Sequence, residues 1–61
     1  MTSICVWIED TVPNYKAVQE IVQNFPCFYS EEMKGKGILE VNFKCRQEDA
    51  PAVERLLAKL V

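Results

Sequence analysis

Three residue types in this chain could do chemistry: the cysteines, the paired carboxylates and a single tryptophan. The cysteines are Cys5, Cys27 and Cys45. Three thiolates can hold a soft metal, but structural zinc sites show C-x-x-C spacing or a histidine among the ligands. Neither occurs here, because the chain has no histidine at all. Packed, reduced thiols acting as small hydrophobes are the expectation, with no metal. An odd cysteine count without a secretion signal also argues against a disulfide framework. Carboxylates pair at Glu9-Asp10, Glu31-Glu32 and Glu48-Asp49. Adjacent residues on a strand point to opposite faces, so such pairs are poor acid/base couples. Without histidine, the Ser/His and Cys/His nucleophile arrangements are absent as well. The two glycines, Gly35 and Gly37, lie in a hairpin segment and not in a phosphate loop between strand and helix. No enzyme and no cofactor are therefore expected.

The elements that must position these residues follow from periodicity. Residues 3–9 alternate, with Ile4, Val6 and Ile8 on one side and Cys5, Trp7 and Glu9 on the other. That is a strand with one buried face. Thr11 can cap a helix N-terminus, and Pro13 is tolerated in its first turn. Tyr15, Val18, Ile21, Val22 and Phe25 then form an apolar stripe, and Pro26 ends the helix near Asn24. Residues 27–33 are a second strand, polar enough at Ser30, Glu31 and Glu32 to suit an edge. Residues 34–37 make a hairpin loop. Ile38 to Cys45 is a third strand, with Leu39, Val41, Phe43 and Cys45 on one face. Glu48 and Asp49 mark a second helix start, favoured there by the helix dipole. Val53, Leu56, Leu57 and Leu60 supply its apolar stripe.

The order β-α-β-β-α spans residues 1–61 as one α+β domain. A right-handed crossover makes strands 1 and 2 parallel, with strand 3 inserted antiparallel between them in the order 1-3-2. Both helices then cover the face bearing Ile4, Val6, Ile8, Leu39, Val41 and Phe43. The arrangement resembles a ferredoxin-like unit that lacks its last strand. The opposite face is left uncovered, and all three cysteines fall toward one end of the sheet.

Composition narrows the function classes. The chain has 61 residues, 49% of them hydrophobic, with a net charge of −2. So short a chain holds one core and leaves little room for a deep cleft. The acidic balance disfavours direct nucleic-acid binding, which needs a basic face. No apolar run reaches the roughly 20 residues of a membrane span, and Met1-Thr2-Ser3 lacks the positive start of a signal peptide. A cytoplasmic location is expected.

Two features then point to binding. Trp7 lies opposite the Ile4-Val6-Ile8 row, which puts it on the open face of an edge strand; the alternatives are that strand 1 is inverted, or that Trp7 folds over the sheet edge and packs there. Tryptophan on an open face is a hot-spot residue type. The parallel course of strands 1 and 2 brings Glu9, Asp10, Glu31 and Glu32 to one end, beside Glu40. Lys34 and Lys36 offset this acidic rim in part. Such a rim imitates phosphate charge or steers association with a basic surface, and it also serves simply to keep a surface solvated.

The chain resembles the small phage-encoded anti-CRISPR proteins, of the kind that inhibits type I-C systems. The resemblance rests on the opening Thr2-Ser3-Ile4-Cys5-Val6-Trp7-Ile8-Glu9-Asp10, the acidic balance and a single βαββα unit over the full length. It implies a protein that binds the type I-C Cascade complex and blocks capture of target DNA. It carries no residue roles; Trp7, Glu9, Asp10, Glu31, Glu32 and Glu40 are candidates on geometric grounds. A monomer is expected. The alternative is a ferredoxin-like regulatory or dimerisation module that associates through the open face or an exposed edge of strand 1.

Overall fold

The computed structural model describes all residues 1–61. Five elements follow one another: β1 (Thr2–Glu9), α1 (Val12–Asn24), β2 (Cys27–Gly35), β3 (Ile38–Cys45) and α2 (Ala50–Ala58). The three strands form one sheet in the order β1-β3-β2. β3 is central and antiparallel to both neighbours. The βαββα layout and strand order are those expected from the pattern of apolar residues.

The core lies between the sheet and the two helices. Ile4 and Ile8 of β1 and Leu39, Val41, Phe43 and Cys45 of β3 meet Val18 and Ile21 of α1 and Ala50, Val53 and Leu57 of α2. Val6, Val22, Phe25, Cys27, Tyr29 and Leu60 close its margins. No side-chain nitrogen or oxygen is buried without a partner. The Tyr29 and Phe43 rings pack at 5.1 Å between centroids, tilted by 46°. Aromatic pairs favour such inclined geometry.

Local chemistry accounts for the element boundaries. The Thr11 hydroxyl accepts from the Asn14 N–H at 3.3 Å, satisfying one of the free donors of α1. The helix ends where Phe25 turns extended, as the residue before a proline must. The β2–β3 hairpin is tighter than the sequence suggests. β2 runs on to Gly35, and a bulge between Met33 and Gly35 absorbs the extra residue. The turn then passes through Lys36 and Gly37, both at positive φ (52° and 76°). Glycine adopts that region freely, whereas lysine does so at a cost.

Two stripe assignments need correction. Tyr15 is 46% exposed and Leu56 38%, so each lies at the wet margin of its helix and not in the buried stripe. α2 begins where Glu48 and Asp49 mark its start, with Asp49 at the N-cap position. Asp49 makes no side-chain cap, and its carboxylate instead accepts from Arg46 Nε at 2.9 Å. No helix is long and apolar enough to cross a membrane.

Candidate functional site: the uncovered sheet face

The cross-strand register defines what the uncovered face presents. Residues opposed across an antiparallel pair share a face. Three rows cross the sheet on the side away from the helices. Ser3, Lys44 and Phe28 form the first, Cys5, Asn42 and Ser30 the second, and Trp7, Glu40 and Glu32 the third. Beyond them Glu9 is opposed to Ile38. Nothing in the chain covers this face: Trp7 is 57% exposed and Phe28 69%.

Glu40 organises the third row. Trp7 Nε1–H donates to its Oε2 at 2.7 Å, and Asn42 Nδ2–H donates to its Oε1 at 3.3 Å. Lys34 Nζ lies 3.9 Å from Glu40 Oε2 and 3.0 Å from Glu32 Oε2. The indole N–H and then the Asn42 amide hold the Glu40 carboxyl below the usual carboxylate range; burial opposes them, and the Lys34 charge adds a lesser pull in the same direction as the hydrogen bonds. The hydrogen bond to Glu32, followed by the charges of Glu32 and Glu40, raises the Lys34 ammonium. The result is an oriented indole beside a Glu40 carboxyl whose charged form its partners favour. Trp7 therefore stands on the open face of an edge strand; the inverted-strand alternative is excluded.

The expected acidic cluster is only partly assembled. Trp7, Glu32 and Glu40 meet in one row. Glu9 and Asp10 lie at the same end of the sheet. Asp10 is tied there by its backbone N–H, which donates to the Gly37 carbonyl at 2.7 Å. The Asn14 side chain adds a bond to the Glu9 carbonyl at 2.9 Å. Glu31 does not join them. Its register partner is Val41, a core residue, so it sits on the helix-covered side, at the sheet margin. There it accepts from the Tyr29 hydroxyl at 3.0 Å. Burial first, and then that bond to Glu31, push the Tyr29 phenol well above its ordinary range.

Other residues on this face carry no mark in the sequence pattern. Ser3, Phe28, Ser30, Asn42 and Lys44 line a broad depression of about 630 Å³ over the end opposite the acids. Lys44 makes no salt bridge within the chain. The face is thus polarised along the strands, acidic near the hairpin turn and basic near the start of β1. Phe28 could have been assigned here had the face of β2 been legible, but Cys27 to Met33 offers too little apolar contrast to choose it.

The three cysteines do not converge. Cys27 and Cys45 are opposed on the helix-covered side, whereas Cys5 is opposed to Asn42 on the uncovered side. All three are free thiols. No group of three or more cysteine, aspartate or glutamate side chains is placed to hold a metal ion.

Compared with protein-family models, with curated proteins and with solved structures, the chain matches none.

Proposed function

We propose that this chain is a non-enzymatic binding protein that docks its uncovered sheet face on a basic surface of a nucleic-acid-binding protein complex. In the manner of the small anti-CRISPR proteins it resembles, it would occupy the surface of a type I-C Cascade complex that target DNA needs. The observation that carries this reading is the row Trp7, Glu40 and Glu32. An indole that is 57% exposed is held by a hydrogen bond of 2.7 Å. It therefore loses little side-chain freedom on docking, and rigid aromatic anchors are the residues that contribute most at interfaces. The flanking carboxylates of Glu9, Asp10, Glu32 and Glu40 present negative charge as a DNA backbone does, and Lys34 offsets only part of it. Complementary charge chiefly speeds association and selects the partner.

The test is competition. Purified type I-C Cascade is titrated with this protein, and capture of a labelled target duplex is followed. Loss of DNA binding at one or a few equivalents, relieved by added salt, is expected. Undiminished capture at large excess would contradict the reading.

One observation favours a second reading, self-association as a small regulatory module. The two ends of the face differ in sign, with Lys44 and Phe28 at one and Glu32 and Glu40 at the other. Two copies stacked face to face with strands antiparallel would pair opposite charges about a two-fold axis. Sedimentation at high protein concentration separates the readings. A dimer that Lys44→Glu dissociates supports this second one, and a strict monomer removes it.

A further inference from the structure

Cys27 opens β2 and Cys45 closes β3, and the two are direct register partners. Opposed residues in an antiparallel pair have Cα atoms about 4.5–5.5 Å apart, inside the roughly 4.4–6.8 Å window of a disulfide. Their Cβ atoms point to the same side and need to approach by roughly 1 Å to reach disulfide distance. β2 is an edge strand with no neighbour beyond it, so it has room for that shift. Cys45 is fully buried at 0% exposure, while Cys27 sits half-buried at the margin of the core. Cys5 lies across the sheet from both and cannot exchange with them within one molecule.

We propose that Cys27 and Cys45 are a redox-closable pair, which a small-molecule disulfide converts into a cross-strand bond stapling β2 to β3. The Cys27 thiolate attacks one sulfur of the reagent. A mixed disulfide forms on Cys27 and the first reagent thiolate leaves. The Cys45 thiolate then attacks the Cys27 sulfur, and the second reagent thiolate leaves. The two protons given up by the cysteines end on the two released thiols. The protein loses two electrons and the reagent gains them. Of the two, only Cys27 is accessible enough to take the first step.

Burial, and then the neighbouring Cys45, raise the Cys27 thiol. Thiolate is therefore scarce at neutral pH, and closure is slow and quickens with rising pH. That kinetic character suits a staple better than a fast sensor. The bond acts on the strand that needs it most, since Ser30 to Gly35 are all exposed. It is independent of what the uncovered face binds.

The experiment uses the full chain with Cys5→Ser, which removes intermolecular exchange at an exposed position, incubated dilute with oxidised glutathione at mildly alkaline pH. The expected product has lost two hydrogens and shows no free thiol in denaturant. On digestion it yields a peptide joining Cys27 to Cys45, and its Tm is raised by about 10 °C. The same treatment of Cys5→Ser/Cys27→Ser should leave Tm unchanged. A product that stops at a glutathione adduct, retains both thiols or melts no higher than the reduced protein overturns the proposal. A Tm rise in the Cys27→Ser background does so too.

Discussion

Glu40 receives two hydrogen bonds and an ion pair, more than any other carboxylate on the open face. Its charged form is what these partners favour, so its pKa lies lower in the folded chain than in the unfolded one. Whatever stability this contributes is fully present above the ordinary carboxylate value. It is lost as pH falls through the lower, folded value. Trp7 reports on it directly, being the only tryptophan of the chain. Acid titration of Trp7 emission should show a transition with its midpoint below the ordinary glutamate range. In Glu40→Gln, whose amide oxygen still accepts from the indole but does not titrate, that transition should vanish. A transition at the ordinary glutamate value would mean that the Trp7–Glu40 bond is not formed in solution.

Elements differ in how much of them the sequence discloses. β3 is fully legible, because Leu39, Val41, Phe43 and Cys45 alternate with polar residues and the glycines of residues 34–37 mark a turn before them. α1 was legible from Thr11 to Pro26, since both ends carry a mechanism: a hydroxyl that caps and a ring that forbids continuation. β2 was not. Ser30, Glu31 and Glu32 lack apolar contrast, so neither face is preferred by burial, and the Lys34 bulge has no composition cue. The sequence alone therefore does not tell which of Glu31 and Glu32 joins the Glu40 row, since the two share an end of the sheet and point to opposite sides. The Trp7–Glu40 bond was likewise out of reach, because it depends on a register between strands 33 residues apart. The two helix starts yield a matched prediction. Thr11→Ala should destabilise the fold by about 1 kcal/mol, the usual worth of an N-cap hydroxyl. Asp49→Ala should cost less, because Asp49 makes no cap and its partner Arg46 is half exposed. Denaturant midpoints of the two variants check the order, and a larger loss at Asp49 would contradict it.

For the whole molecule, small size is the governing fact. Folded domains are stable by roughly 0.05–0.15 kcal/mol per residue, which gives about 3–9 kcal/mol for a chain of this length. Phe43 is 1% exposed and sits at the centre of the core. Phe43→Ala should cost about 3–5 kcal/mol, enough to remove most of that margin and bring the thermal transition near room temperature. Phe28, 69% exposed on the other face of the same sheet, should tolerate alanine within about 0.5 kcal/mol. Calorimetry of the pair tests whether the sheet is one-sided in energy as it is in geometry. A sheet that spends one face on its core leaves the other open, and in the proposed function the Trp7 row would serve that face as aromatic anchor and source of negative charge.

That claim is tested most directly by the affinity of type I-C Cascade for two charge reversals at neighbouring positions. Glu32→Lys alters the uncovered face and Glu31→Lys the covered one, while composition and net charge change identically. The account predicts that Glu32→Lys weakens binding at least tenfold and that Glu31→Lys binds like the unaltered chain. Equal losses at both positions, or a loss at Glu31 alone, would contradict it.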